Sequence, residues 1–273
     1  MNKQDIIKQF SKEEDKFLAA KLLDKMQFVS SRNQVQVTDF LDGYEQKIVQ
    51  KVLGQNHFAN VIFNGGYEEA ERKMVIFFPT KLQELFDKPI QENAILLEQI
   101  QVISIILPNP LREQYHHRDY LSGLMKLGVK REKIGDIIVR EDGADILVQK
   151  DIVTYLLTNL PELTRFQKAE ILQKSIVELN VVPVKKEVLT ILIPQLRLDV
   201  VIAELLHISR TKANEVIIQE RVFVNYEMKT KNSFLLQTGD LLTIRGKGKF
   251  QIGDIIGQTS KGKLKVVVEK YVS

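Results

Sequence analysis

The sequence predicts a multidomain α+β protein, and three observations predict it. Residues 93–182 carry the element order βαββαβ, the split repeat of the ferredoxin-like fold. Residues 197–225 read as two short helices, a tight connection and a strand. The basic excess of the chain is confined to that last region, with 13 Lys+Arg against 8 Asp+Glu over 197–273 and 26 against 27 in the remainder. The expected division is a small N-terminal α+β unit over 1–92, the ferredoxin-like unit over 93–182, and a linker followed by a helix pair with a small β-sheet over 183–273.

In the first unit, residues 1–29 read as one helix with Phe10, Phe17, Leu18, Leu22 and Met26 as its apolar stripe. Thr38 is placed to cap a second helix that runs through Phe40, Tyr44 and Ile48 to Leu53 and ends at Gly54. Strands over 59–63 and 73–78 follow, joined through the turn signal Asn64-Gly65-Gly66.

The middle unit opens with a buried-looking strand over 99–107 that stops at Pro108-Asn109-Pro110. A helix over 118–127 is closed by Gly128. Strands over 136–140 and 144–148 are joined by Glu141-Asp142-Gly143, a hairpin signal. A helix over 152–160 is stopped by Pro161, and 165–176 supplies the last strand. This is the architecture of RNA recognition motifs, but the central strands carry Ile137, Ile138, Val139, Ala144, Ile146 and Leu147 where such motifs use aromatic side chains to stack bases. The expected role of this RRM-like unit is therefore structural, or contact with protein or RNA backbone. Residues 181–194, with Pro183 and Pro194, form a joint that becomes a strand.

In the last unit, Leu198, Ile202, Leu205 and Leu206 keep helical spacing, as do Ala213, Val216 and Ile217. Ser209 stands where the second helix begins and can cap its free amides. Arg210 and Lys212 follow in the first turn, although a helix N-terminus favours anions by about 0.3–1 kcal/mol. Cations held at a positive helix end make sense if a polyanion sits there, taking both the side chains and the backbone amides. Farther on, Arg245-Gly246-Lys247-Gly248-Lys249 reads as a strand with its three cations on one face, and Lys261, Lys263 and Lys265 repeat the spacing.

The pattern Arg197-Leu198-Asp199, Ser209-Arg210-x-x-Ala213 and Val222-x-Val224-Asn225 resembles the RNA-binding domain first seen in small-subunit ribosomal protein four, the S-four domain. Two positions depart from it: Glu220 and Tyr226 stand where glycines are usual. With the block HHRDYLSGLMKLGVKREKIGDIIV ahead of it, the whole chain resembles the YlmH family of bacterial RNA-binding proteins. The resemblance implies association with the ribosome, rRNA or tRNA, without known catalysis, and a link to rescue of stalled large ribosomal subunits.

Other chemistries are poorly supported by the residues. Cysteine is absent, which excludes disulfides and thiolate-held zinc and suits a reducing cytosol. The four histidines (His57, His116, His117, His207) lack metal-ligand spacing, and no apolar run reaches the ~18 residues of a membrane span. His117-Arg118-Asp119 lacks the asparagine of a kinase loop, and it lacks the leucine and threonine that surround the catalytic aspartate of pseudouridine synthases bearing an S-four domain. Arg245–Lys249 is neither a Walker loop nor a dinucleotide fingerprint.

The expectation is a cytoplasmic, non-catalytic protein that binds structured rRNA or tRNA on a ribosomal subunit, with no cofactor, no metal and no small-molecule substrate. Arg197, Arg210, Lys212 and Arg221 would grip phosphates near the helix pair, and Arg245, Lys247 and Lys249 would extend that surface. Ser209 would cap the helix, and Asp199 would orient Arg197 or cap the first helix. The competing expectation is an RNA-modifying enzyme, similar to a pseudouridine synthase, to which the same domain delivers RNA.

Overall fold

In the computed structural model, which describes residues 2–56, 58, 60–112, 114–179, 181 and 185–272, the N-terminal stripe is divided between α1 (Lys3–Ile7) and α2 (Glu13–Arg32). The chain turns at Lys8–Lys12, so α2 takes a new phase. Phe10 and Met26 enter the core, whereas Phe17, expected in the stripe, is 63% exposed.

After β1 (Gln36–Val37) comes α3 (Gly43–Asn56). Its cap is Asp42, not Thr38: the Asp42 carboxylate accepts from the amides of Tyr44 and Glu45 at 2.9 Å, and Glu45 accepts from the Asp42 amide at 2.7 Å. Thr38 instead exchanges hydrogen bonds with Val75 in the neighbouring strand, and Gly54 lies inside the helix. The strands β2 (Val61–Asn64) and β3 (Met74–Phe77) complete an antiparallel sheet of order β1-β3-β2; Ala59, expected in the first of these strands, lies outside the described residues. Ile6, Leu22, Met26, Val49, Val52, Val75 and Phe77 close this core. Two helices absent from the sequence reading follow, α4 (Gln83–Phe86) and α5 (Ala94–Gln99).

The middle unit is built from β4 (Ile100–Ile106), α6 (His117–Lys126), β5 (Ile134–Arg140), β6 (Gly143–Gln149), α7 (Val153–Asn159) and β7 (Glu170–Lys174). Its antiparallel strands run in the order β5-β6-β4-β7, the ferredoxin-like arrangement. The hairpin needs glycine at 143, because an added Cβ would lie 1.8 Å from the Ile105 carbonyl oxygen.

One face of this sheet packs Ile103, Ile105, Ile146 and Val148 against Tyr120 and Leu124 of α6 and Val153 and Leu156 of α7. The other face packs Ile100, Val102 and Leu147 against Phe40, Met74, Val37 and Tyr67 of the first unit. Every residue of β6 is buried. Side chains of the N-terminal unit thus occupy part of the helix-free surface that an RNA recognition motif offers to bases. This accounts for the aliphatic chemistry of the central strands.

The Gly128–Gly135 block (GVKREKIG) builds this junction. The Phe40 amide donates to the Glu132 carbonyl at 2.8 Å, and Arg72 donates to the Ile134 and Phe40 carbonyls at 3.0 and 2.8 Å. Just beyond the block, Asp136 accepts from the Tyr67 hydroxyl and the Glu71 amide, each at 2.7 Å, and from the Arg72 amide at 3.1 Å. Burial, then the neighbouring Arg72 charge, pushes the Arg131 guanidinium down to about 10. Residues 1–181 accordingly form one compact unit and 182–273 a second.

The second unit comprises β8 (Lys186–Ile193), α8 (Leu198–Leu205), α9 (Arg210–Ile218), β9 (Val222–Val224), β10 (Glu227–Met228), β11 (Leu241–Ile244), β12 (Gly248–Gln258) and β13 (Leu264–Tyr271). Pro183, placed by the sequence in the joint, lies outside the described residues. The six strands form one antiparallel sheet of order β10-β9-β11-β12-β13-β8. Leu198, Val201, Ile202, Ala213 and Ile217 of the helices pack on Ile193, Val222, Val224, Leu242, Ile244, Phe250 and Val266. Both helices therefore cover the same face of the sheet, and the opposite face stays outside the core.

Candidate nucleic-acid interface

The helix pair is set by its turn. At the end of α8 the Ile208 amide donates to the Ala203 carbonyl at 3.0 Å and the His207 amide to the Glu204 carbonyl at 3.3 Å, a Schellman motif with His207 in the left-handed region (φ 52°). Ser209 follows as the cap of α9, its hydroxyl accepting from the Lys212 amide at 3.2 Å as the sequence predicts. Arg210 and Lys212 then stand exposed in the first turn.

Asp199 joins the two helices. Its side chain is 1% exposed and accepts from Arg197 at 3.0 and 3.1 Å and from Arg210 at 2.6 Å. Burial alone would raise this carboxyl, but hydrogen bonds and charge from Arg197 and Arg210 outweigh it and hold Asp199 below the usual carboxylate range. One buried anion thus fixes two guanidinium groups, and Lys212 stands two residues beyond Arg210 in the first turn of the same helix. Asp199 orients Arg197, as expected. Arg210 is in addition a structural partner, which the sequence did not reveal.

The remaining predicted residues lie elsewhere. Arg221 follows the C-terminal end of α9, so about 14 Å of helix separates it from Arg210 along the axis. Its guanidinium donates to the Arg245 carbonyl at 2.8 Å. The expected strand through Arg245–Lys249 is a hairpin turn: Ile244 pairs with Gly248, the Lys247 amide donates to the Ile244 carbonyl at 2.9 Å, and Gly246 takes φ +75°. Arg245 and Lys247 sit on this turn and Lys249 on the strand after it, so the three do not form a one-faced ladder. Lys261 likewise belongs to the turn before β13, in which Gly262 takes φ +76°. The eight predicted residues divide into a helix-pair group (Arg197, Ser209, Arg210, Lys212) and a hairpin group (Arg221, Arg245, Lys247, Lys249).

The backbone at Glu220 and Tyr226 shows why the S-four pattern has glycine at these two positions. Both hold left-handed backbone, φ 57° and 68°, the conformation that glycine adopts without penalty. Asn225 and Tyr226 are the two loop residues between β9 and β10, both with positive φ, as a type I′ hairpin requires. The Asn225 amide side chain anchors this turn to Asp240 at 2.6 Å and accepts from the Leu241 amide at 3.0 Å.

Asp119 is engaged at the start of α6, where it accepts from the His116 amide at 2.9 Å; the Arg165 guanidinium lies 3.9 Å from its carboxylate. Among the described residues no group of three or more His, Cys, Asp or Glu could hold a metal ion, and no helix is long and apolar enough to cross a membrane. His57 lies outside the described residues.

Comparison with known proteins gives these sites a context. Residues 196–242 match the S4 domain, which contains the helix pair. Residues 14–82 match the N-terminal domain of YlmH, and 98–178 match the putative RNA-binding domain in YlmH. The chain is 32% identical over 268 residues to the ribosome-associated protein quality control protein P2 of Bacillus subtilis (strain 168), covering 97% of this chain and 98% of that one. The chain belongs to the YlmH family. A solved structure of the cell division protein ylmH from Streptococcus pneumoniae is 18% identical with a TM-score of 0.48, over 62% of this chain and 96% of that one. The match over residues 98–178 is to a putative RNA-binding domain, and the helix pair falls inside the separate S4 match. Lys186, Lys249 and Tyr271 lie beyond the residues matched to the S4 domain.

Proposed function

We propose that this chain is a cytoplasmic, non-catalytic protein that binds structured rRNA or tRNA on a bacterial ribosomal subunit and serves ribosome-associated quality control. The observation that carries this reading is the Arg197–Asp199–Arg210 array beside the capped start of α9, within the S4 match. Guanidinium groups held rigid before binding lose less freedom on meeting phosphates, and first-turn amides add donors for the same anions. Such a surface follows the path of an RNA backbone and gives shape recognition rather than base readout. The name of the Bacillus subtilis relative supports placing this activity on the ribosome. The use of Asp119 as a helix-start carboxylate supports the absence of catalysis.

The test is pelleting with ribosomal subunits at two salt concentrations. Wild-type protein is expected to cosediment at low salt and to release as salt rises. Lys212→Ala is expected to weaken cosedimentation several-fold. Salt-independent pelleting, or an unchanged Lys212→Ala variant, would remove the helix pair from the interface.

A further inference from the structure

The outer face of the C-terminal sheet, opposite α8 and α9, carries chemistry that the helix-pair reading does not use. Strand pairing aligns one row across it. Phe223 of β9 faces Thr243 of β11, Thr243 faces Lys249 of β12, and Tyr271 of β13 faces Lys186 of β8. Cation–aromatic contacts close the remaining gaps. The Arg245 guanidinium lies 4.5 Å from the Phe223 ring centre, and Lys249 Nζ lies 5.1 Å from that of Tyr271 and 5.9 Å from that of Tyr226. From the edge strand β8, Lys186 Nζ lies 5.1 Å from the same Tyr271 ring. The three rings are only partly buried. Glu269 stands in the adjacent row on the same face and pairs with Lys186 at 2.8 Å.

Aromatic rings alternating with cations on an open β-sheet form a stacking platform with a phosphate track, the arrangement that suits unpaired nucleic acid. From β9 to β13 the row spans three interstrand steps, about 14 Å, a width comparable to sheets that stack two or three bases. We propose that this face is a second RNA site, which stacks two or three unpaired nucleotides on Phe223, Tyr226 and Tyr271 while Arg245, Lys249 and Lys186 take their phosphates. The Arg245 guanidinium beside Phe223 is a planar group that can itself stack on a base, and the lysines have flexible stems that reach a backbone on either side. The site goes beyond the helix-pair reading: that group meets structured RNA on one side of the domain, and this one holds an unpaired segment on the other.

The experiment measures binding of the full chain to fluorescent hexauridylate and, separately, to a structured rRNA hairpin. Tyr271→Leu keeps an apolar side chain but removes the ring, so it is expected to weaken hexauridylate at least fivefold and leave the hairpin unchanged. Tyr271→Phe is expected to restore hexauridylate binding. Lys249→Ala reports independently if Tyr271→Leu lowers the melting temperature, and is expected to weaken hexauridylate to a similar degree. Lys212→Ala is expected to weaken the hairpin alone, so failure of the helix-pair reading shows as a separate result. No hexauridylate binding, or binding indifferent to both Tyr271→Leu and Lys249→Ala, would overturn the proposal. Equal affinity for a glutamate-rich peptide of the same charge would make the face a plain anion patch. A dimer lost in Tyr271→Leu would assign it to a second copy of the chain. Either result overturns the RNA site.

Discussion

At residue scale, Glu220 holds left-handed backbone, and among the described residues its side chain makes no hydrogen bond or ion pair to offset that cost. A non-glycine residue in left-handed backbone costs about 1–2 kcal/mol. Glu220→Gly is therefore expected to raise stability by about 1 kcal/mol, read as a higher urea midpoint with an unchanged slope; a lower midpoint would show that Glu220 has a compensating role. Asp199 acts in the opposite sense. Its depressed carboxyl contributes stability that is fully present above the unfolded value near 4 and is lost as pH falls through its lower folded value. Asp199→Asn is expected to cost about 2 kcal/mol at neutral pH, from the weakened charge-assisted bonds, and to flatten part of the acid limb of the stability curve. A mutant that melts like wild type at pH 7 would deny the array its structural role. Arg210 and Lys212 then separate, although the sequence treats them as equivalent. Arg210→Ala takes one partner from a buried carboxylate and is expected to lower stability by about 1 kcal/mol. Lys212→Ala is expected to leave the melting temperature unchanged, so it is the cleaner probe of RNA binding.

At element scale, the Gly128–Gly135 block shows what a distinctive motif can mean. Its backbone meets Phe40 and Arg72, and a Cβ at Gly135 would lie 2.7 Å from the Phe40 ring. Gly135→Ala is expected to cost about 1–3 kcal/mol through overpacking and to speed proteolysis between the first two sheets; unchanged thermal and proteolytic stability would show that Phe40 can move away freely. Helical spacing made α8 and α9 legible because their apolar residues meet one core, and Ser209 is the residue type that a helix start favours. The cation–glycine alternation of Arg245–Lys249 satisfies strand periodicity and a turn equally, and only the positive φ of Gly246 and Gly248 decides between them. No proline or glycine marks the break after α1, so helical spacing alone extends to Phe17 a stripe that the chain does not continue. The Phe223 row had a signal, since Phe223 alternates with the buried Val222 and Val224, but the pairing that brings Lys249, Tyr271 and Lys186 beside it spans 85 residues and is set by sheet register.

At the scale of the molecule, the sheet whose architecture invites base stacking has part of its open face covered by the first unit, while the basic C-terminal unit exposes both a helix-pair array and an aromatic row. Residues 182–273 form a compact unit with their own core, from Leu198 and Ile217 to Phe250 and Val268. They also hold the basic excess of the chain. A fragment of these residues is therefore expected to fold cooperatively and to bind rRNA without the rest of the protein. Each phosphate that it neutralises contributes about −0.7 to −0.9 to the slope of log affinity against log salt. If unit two supplies the contacts, fragment and full chain should give slopes that agree within one contact. A shallower slope in the fragment would assign phosphate contacts to the middle unit. A folded fragment that fails to bind, beside a full chain that does, would move the principal RNA interface there altogether, onto surface that the N-terminal side chains leave uncovered.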